Sequence, residues 1–480
     1  VLESPHEKGH IWTASDDGLV HLTKDGGANW TNVTPKGLAE CLVNSIEVSP
    51  HDPATVYIAT TRYKFNDHRP GLYKSTNYGK TWKVDKDAIL DKKEIIDPRF
   101  TVGVPRINDG QLLFVMNIVS KLKKNSEEQK VRKLENYIKS TIRIQEGFTE
   151  DFYNLTAILK NKYGKRVAVN RLYIHLFQLL DINYQIVVTT DRSDVKFDKD
   201  FDSWQYLEKT MFYFPKTKKF LAPDVPTLRY GMVPALQTAQ YGLFITVKQQ
   251  KDGSHPQINA QTRYINELND EDNSDVFNAA MEFTEDMTQV KLNLTRKLFG
   301  HNASGLHVIY ALIAEDKKKE LLESFVKGTF ADADVDKLDT GETSIEYSSL
   351  DKPFIFKSQL KIASLIERAG NKYLFKIGDL IGPQMEMYQE DGEERQLDVE
   401  MTYNHSYYRT MVFNIPEGYQ IKNLDDLNFD VSFTYEDYKS AFFISSYSID
   451  GNKVTLTNEE VYDAMYYPKE FFTDYQKVIN

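Results

Sequence analysis

Hydrophobic and polar residues change their spacing twice along this chain. Up to about residue 88 apolar residues alternate over short runs, as in His10-Ile11-Trp12-Thr13-Ala14, Leu19–Leu22, Val56-Tyr57-Ile58-Ala59-Thr60 and Gly71–Lys74, which predicts short strands. From about residue 107 the period becomes that of a helix. Ser126-Glu127-Glu128-Gln129 is a capping box, and Val131, Leu134, Ile138 and Ile142 fall on one face behind it. A second helix carries Phe152, Leu155, Ile158 and Leu159 and stops at Tyr163-Gly164; a third runs from about Val167 to Leu180. Strands follow at Tyr184–Val188, Lys209–Phe214 and Lys219–Leu221. From 235 onward alternation dominates again, with strands at Tyr241–Val247, Ala279–Thr284, Gln289–Thr295 and Tyr407–Ile415 and one helix at Glu315–Phe325. Phe442–Ile449 and Val454–Leu456 flank Asp450-Gly451-Asn452, a strong hairpin signal. The expected fold is α+β and multi-domain: 1–88 a repeat of strands, 89–106 a linker, 107–234 a helical and stranded core, and 235–480 one or two β-sandwich-like domains.

The first segment contains a repeat. Thr23-Lys24-Asp25-Gly26-Gly27-Ala28-Asn29-Trp30 and Ser75-Thr76-Asn77-Tyr78-Gly79-Lys80-Thr81-Trp82 share one pattern: Ser/Thr, any residue, Asp/Asn, any residue, Gly, two more, then Trp. The Asx side chain can take backbone N–H bonds inside a turn, the Gly supplies positive φ, and the Trp packs between neighbouring sheets. With its flanking strands the octet resembles the Asp-box repeats of sialidase-like and sortilin-like β-propellers, and Ser49-Pro50-His51-Asp52-Pro53-Ala54 is similar to their inter-blade connection. The resemblance implies structural roles for Asp25, Gly27, Trp30, Asn77, Gly79 and Trp82. Some relatives degrade xyloglucan, but a propeller takes four to eight blades and about two are present in this segment, so glycosidase activity is not expected from it.

The central segment resembles a different family. Its order of three helices and then three strands is that of a transglutaminase-like, papain-related core, and Leu159–Leu172 with Leu180-Asp181-Ile182-Asn183-Tyr184 is similar to the family's passages around its nucleophile. Residues 107–480 as a whole resemble secreted bacterial proteins in which this core precedes a β-rich domain. The resemblance places the catalytic Cys at Arg166, two residues after Gly164, the His near Lys209 (or Glu208 with a slip of one), and the Asp at Ala222, with Asp224 two residues on. A guanidinium cannot attack a carbonyl and stays protonated at any working pH. The triad is therefore degenerate, and thiol acyl transfer is not expected. Lys165, Arg166 and Lys209 are instead candidates for an anion site, because positive charge at a helix N-terminus is unfavourable until an anion meets it. Ser203, Thr210 and Thr217 lie nearby, but no Gly-x-Ser-x-Gly elbow surrounds them. His175 reads as a packed helix residue.

Composition narrows the function classes further. The 480 residues carry a net charge of −11, which disfavours nucleic acid as a partner, and no run approaches the roughly 18 apolar residues of a membrane span. The single cysteine, Cys41, excludes an intrachain disulfide and a four-thiolate zinc site. His6-Glu7-Lys8-Gly9-His10 has the spacing of a zinc-protease motif, but Pro5, Gly9 and the strand at Ile11 deny it the helix that would align both imidazoles. No metal and no cofactor are expected. Tyr403, Tyr407, Tyr408, Tyr435, Tyr438 and Tyr447 are candidates for a sugar-binding face or for ordinary core packing. No signal peptide is read in the chain, and an extracytoplasmic location follows only from the resemblance. The expected function is a non-catalytic binding or scaffolding module at the cell envelope, for a glycan or peptide. A glycosidase or other hydrolase using unidentified residues, and a fusion of two unrelated parts, are the alternatives.

Overall fold

The computed structural model describes residues 1–65, 67–84, 119–147, 152, 154–201, 203, 206–248, 257–341, 343, 346, 348–382, 395–435 and 437–479. The expected linker at 89–106 lies outside them. The chain forms an α+β structure in two compact units, the first comprising Val1–Thr101, Phe197–Glu208 and Ile245–Thr262, the second everything else. No described helix is long and apolar enough to cross a membrane.

The first unit contains two four-stranded sheets, each with its strands in chain order. One is built from β1 (Leu2–Glu3), β2 (Ile11–Ala14), β3 (Val20–Thr23) and β4 (Trp30–Asn32), the other from β5 (Leu42–Val48), β6 (Val56–Arg62), β7 (Asp67–Ser75) and β8 (Lys83–Val84). Consecutive strands pair antiparallel throughout, the form a propeller blade takes. Both octets span the turn from third to fourth strand, with the same bonds. Gly27 N–H donates to Thr23 Oγ1 (3.0 Å) and Asn29 N–H to Asp25 Oδ1 (2.9 Å). Gly79 N–H donates to Ser75 Oγ (2.9 Å) and Thr81 N–H to Asn77 Oδ1 (2.9 Å). Trp82 is half-buried against the sheet core, its indole N–H donating to the Val33 carbonyl at 2.6 Å. Trp30 is 44% exposed, on β4, the outermost strand of its sheet, which is exposed along its whole length. Trp12, Val20, Val56 and Ile58 form the core between the sheets.

In the second unit the capping box is present, with Ser126 Oγ taking the Gln129 N–H and the Gln129 side chain taking the Ser126 N–H, at the start of α1 (Glu127–Thr141). Val131, Leu134 and Ile138 are its buried stripe. α2 (Leu155–Asn161) ends as Lys162 turns left-handed, and β10 (Tyr163–Gly164) then pairs parallel with β9 (Arg143–Ile144). α3 (Arg166–Leu179) is buried almost all round, as expected of a helix in the middle of a core. His175 is among its buried residues, and burial lowers its pKa. Tyr173 and Phe177 of α3 pack on Phe212 of the following sheet, whose order in this unit is β13 (Lys219–Leu221), β12 (Lys209–Phe214), β11 (Gln185–Thr189); β14 (Gln240–Lys248) and β15 (Gln257–Ile265) follow in the chain and run into and out of the 245–262 stretch of the first unit.

The C-terminal region is β-rich as read, and its long strands join one eight-stranded sheet. Its order is β18 (Asp334–Thr340), β19 (Phe354–Ile362), β17 (Val290–Leu298), β16 (Ser274–Phe283), β23 (His405–Asn414), β26 (Lys453–Tyr462), β25 (Tyr438–Asp450), β24 (Phe429–Tyr435). All neighbours run antiparallel except β16 and β23, which are parallel at the centre. The hairpin read at Asp450-Gly451-Asn452 is the β25–β26 turn, with Asp450 opposite Lys453. Phe277, Ala279, Met281, Leu292 and Met411 line one face of the sheet and pack with Leu322, Val326 and Phe330 from the helical layer of α4 (Leu306–Leu312) and α5 (Glu315–Thr329). Two short sheets, β20 (Ile366–Ala369) with β21 (Lys372–Phe375) and β22 (Val399–Glu400) with β27 (Tyr466–Tyr467), and the last helix α6 (Phe472–Ile479), complete the unit.

Candidate functional site

Two places carry chemistry. The first is the N-terminus of α3, where the resemblance places a nucleophile. Arg166 is the first helical residue, and its Nε lies 3.1 Å from Asp224 Oδ2. Asp224 follows β13 by three residues, so the end of β13 faces the start of α3. Because β12 runs antiparallel to β13, Lys209, the first residue of β12, lies at that same end of the sheet. Ala222 is buried in an apolar cluster with Val187, Met211 and Phe244. Lys165 caps the helix with no side-chain bond to it, and its Nζ stands 3.6 Å from Glu146 Oε2. An anion at this helix end would have to displace Asp224 from Arg166. Cys41 lies in the first unit, buried, with its thiol pKa raised by that burial.

Beneath this end lies a buried ion pair. Lys139 Nζ donates to Glu135 Oε1 and to the Leu228 carbonyl, both at 2.8 Å, and Glu135 Oε2 takes the Tyr230 N–H at 2.7 Å. Burial lowers the Lys139 pKa, against the pull of Glu135. These bonds clamp the segment after β13 onto α1.

The second place is a cavity of about 690 Å³ over one end of the eight-stranded sheet. Here the inward face of four adjacent strands turns from hydrocarbon to charge. Asp275 (β16) and Arg296 (β17) form one pair, with Arg296 Nε 3.0 Å from each Asp275 oxygen. Arg409 (β23) and Glu460 (β26) form the other, with Nη1 2.7 Å from Oε2 and both side chains 7% exposed. Tyr407 stands between the pairs, directly opposite both Asp275 and Glu460, and its ring lies 4.7 Å from the Arg409 guanidinium carbon. Glu460 Oε1 accepts from the Tyr462 hydroxyl at 2.9 Å. Burial pushes the Tyr407 phenol up to about 12. His405 has Nδ1 3.1 Å from the Tyr403 carbonyl, which fixes the proton on Nδ1, and burial lowers its pKa. The opposite wall is hydrocarbon, supplied by Phe325 and Val326 of α5, Phe330 just past its end, Leu380 and Ile381, and Ile479 of α6.

Of the six tyrosines singled out in the sequence, Tyr403 and Tyr407 line this cavity. Tyr408, next along β23, points to the opposite face of the sheet, Tyr435 and Tyr438 are exposed, and Tyr447 donates to Asp425. Asp275, Arg296, Arg409 and Glu460 were not singled out. Their signal is a charge at a position where strand alternation demands an apolar side chain, as in Val290, Leu292, Leu294, Arg296, Leu298. The His6 to His10 segment is a turn: His6 Nε2 meets the Ser49 carbonyl (2.9 Å) while His10 Nδ1 meets Glu7 (2.7 Å), so the two imidazoles serve different partners.

No family model and no curated protein matches the sequence. Among solved structures, one described as a "putative protease" from Parabacteroides distasonis aligns with TM-score 0.36 and 8% identity over 78% of this chain. The alignment covers 53% of that structure, so this chain spans about half its length. A likeness that weak carries no conclusion about activity.

Proposed function

We propose that this chain is a non-catalytic, extracytoplasmic binding module of the cell envelope, with its ligand held in the cavity over the charged end of the eight-stranded sheet. One observation carries this reading: an open volume of about 690 Å³ lies where the sheet's inward face changes from hydrocarbon to paired charge. Protein interiors are otherwise close-packed, and small-molecule sites occupy roughly 300–1,000 Å³. The hydrocarbon wall suits a ligand with an apolar part, such as a peptide side chain, better than a glycan. A glycosidase reading would need two carboxylates free to act on one sugar, whereas Asp275 and Glu460 each have a guanidinium as partner. At the α3 N-terminus Arg166 supplies no nucleophile, which supports the non-catalytic part of the reading; the location rests on the family resemblance alone.

The test is saturable binding of Nile red, a neutral apolar dye, to the full chain, followed by fluorescence. One site is expected, and Phe330→Trp, which narrows the cavity just past the end of α5, is expected to weaken it. Absence of saturable binding, or binding untouched by Phe330→Trp in a folded variant, refutes the cavity reading. Incorporation of monodansylcadaverine into a glutamine peptide, lost on Arg166→Ala, would refute the non-catalytic one.

A further inference from the structure

Resting on that binding reading, we propose that the cavity's ligand is a monocarboxylate on an apolar body, with its carboxylate held by Arg409 and the Tyr407 hydroxyl.

The argument is an account of hydrogen-bonding capacity. Arg296 takes up both Asp275 oxygens. Arg409 Nη1 takes one Glu460 oxygen, and the Tyr462 hydroxyl takes the other. Each carboxylate oxygen of Asp275 and Glu460 thus already has a donor, which a cationic ligand would have to share. Donors remain. A guanidinium carries five N–H groups, and the Arg409 guanidinium has Glu460 as its one hydrogen-bonding partner among the described residues. Its side chain is only 7% exposed, so bulk water is a poor substitute. The Tyr407 hydroxyl likewise has no hydrogen-bond partner among the described residues, and both groups line the cavity. The Tyr407 ring beneath the guanidinium holds it in place.

Charge then selects among acceptors. The Arg296–Asp275 and Arg409–Glu460 pairs are each neutral overall, so one added negative charge meets one shared guanidinium. A dianionic phosphate would set two charges beside Asp275 and Glu460, with like-charge repulsion on both sides. A fork of guanidinium N–H groups matches the two oxygens of a carboxylate. The rest of the ligand meets Phe325, Phe330, Leu380 and Ile479, so it is hydrocarbon, aliphatic or aromatic.

The experiment measures displacement of Nile red from the full chain at pH 7.5 by decanoate, decan-1-ol, decyl phosphate and N-acetylphenylalanine, the last standing for a peptide C-terminus. Decanoate is expected to bind at least about tenfold more tightly than decan-1-ol and than decyl phosphate. The better of decanoate and N-acetylphenylalanine identifies a fatty acid or a peptide end as the source of the carboxylate. The double variant R409Q/E460Q removes both members of the pair, so no lone charge is left buried and the fold is expected to persist. It should retain Nile red and lose at least about tenfold in decanoate affinity. Tyr407→Phe should weaken decanoate and leave decan-1-ol unchanged. If decanoate and decan-1-ol compete equally, or R409Q/E460Q binds decanoate as the wild type does, the carboxylate assignment is overturned while Nile red binding keeps the cavity reading standing. If neither Nile red nor decanoate binds, both fall together.

Discussion

Lys139→Met keeps the length and much of the volume of the side chain while removing its ammonium, so it isolates the buried charge pair under the α3 N-terminus. Glu135 and Lys139 are 1% and 3% exposed in side chain, so water cannot replace the lost partner. Breaking a buried pair by removing one member costs about 3–5 kcal/mol. The lower end applies here, because the Arg229 guanidinium lies close enough to Glu135 to interact with its charge. The Leu228 carbonyl also loses its Lys139 donor but keeps the Arg229 Nη1 donor at 3.0 Å, so this adds little. In the double variant Lys139→Met/Glu135→Gln the Glu135 charge is no longer stranded, and the amide oxygen can still take the Tyr230 N–H, although the buried Arg229 guanidinium loses the Glu135 charge beside it. The two substitutions should therefore couple by about 2 kcal/mol or more. The described α-helices all belong to the second unit, and Trp12, Trp30, Trp82 and the Phe197–Glu208 segment that carries Trp204 belong to the first. Urea unfolding followed at 222 nm and by tryptophan fluorescence therefore reads the units separately. With a urea slope of roughly 1–3 kcal/mol per molar, Lys139→Met should lower the 222 nm midpoint by about 1 M or more and leave the fluorescence midpoint in place. A 222 nm shift too small to measure, or single-variant costs that simply add in the double variant, would refute the reasoning.

The remaining predictions concern each unit in turn. Gly79→Ala should destabilise the first unit by about 3 kcal/mol or more, since φ is +75° and an added Cβ would sit 2.8 Å from Val33 Cβ. Gly27→Ala, also at positive φ but with the added Cβ 4.0 Å from its nearest neighbour, the Trp30 ring, should cost only about 1–2 kcal/mol; equal fluorescence midpoints in urea would contradict this. Ser126→Ala should cost about 1 kcal/mol by opening the capping box of α1, read at 222 nm. Burial lowers the His301 pKa to about 4 and also lowers those of His405, His307 and His175. The unfolded chain therefore binds more protons than the folded one below about pH 6.5, and the second unit should lose stability as pH falls from there toward 4. His301→Gln should flatten that slope, and a 222 nm midpoint constant across the window would contradict the assignment.

Elements set by neighbours in sequence were legible because their causes are local. Ser126 and Gln129 are three residues apart, the β25–β26 turn needs only Gly451 and Asn452, and each octet carries its Asx, Gly and Ser or Thr within five positions. The cavity has no such local cause. Its charged end joins residues 275, 296, 409 and 460, and it exists only because β16 pairs parallel with β23 across some 130 positions of chain. Strand alternation says which face a side chain takes and nothing about which strand lies beside it. The legible trace of the site was therefore a violation: four charged residues on strand positions that alternation assigns to the interior. Polarity alone at such positions is a weaker signal, since Ser358 and Asn458 occupy them too and neither lines the cavity. Charge discriminates better, because a buried hydroxyl or amide is satisfied by one or two bonds, whereas a buried ion requires a counter-ion close by. In this sheet the counter-ions lie across a strand boundary, on the diagonals Asp275–Arg296 and Arg409–Glu460. An open volume beside two such diagonals is better explained by something that binds there than by the needs of the fold, because hydrocarbon at those four positions would close the core without it.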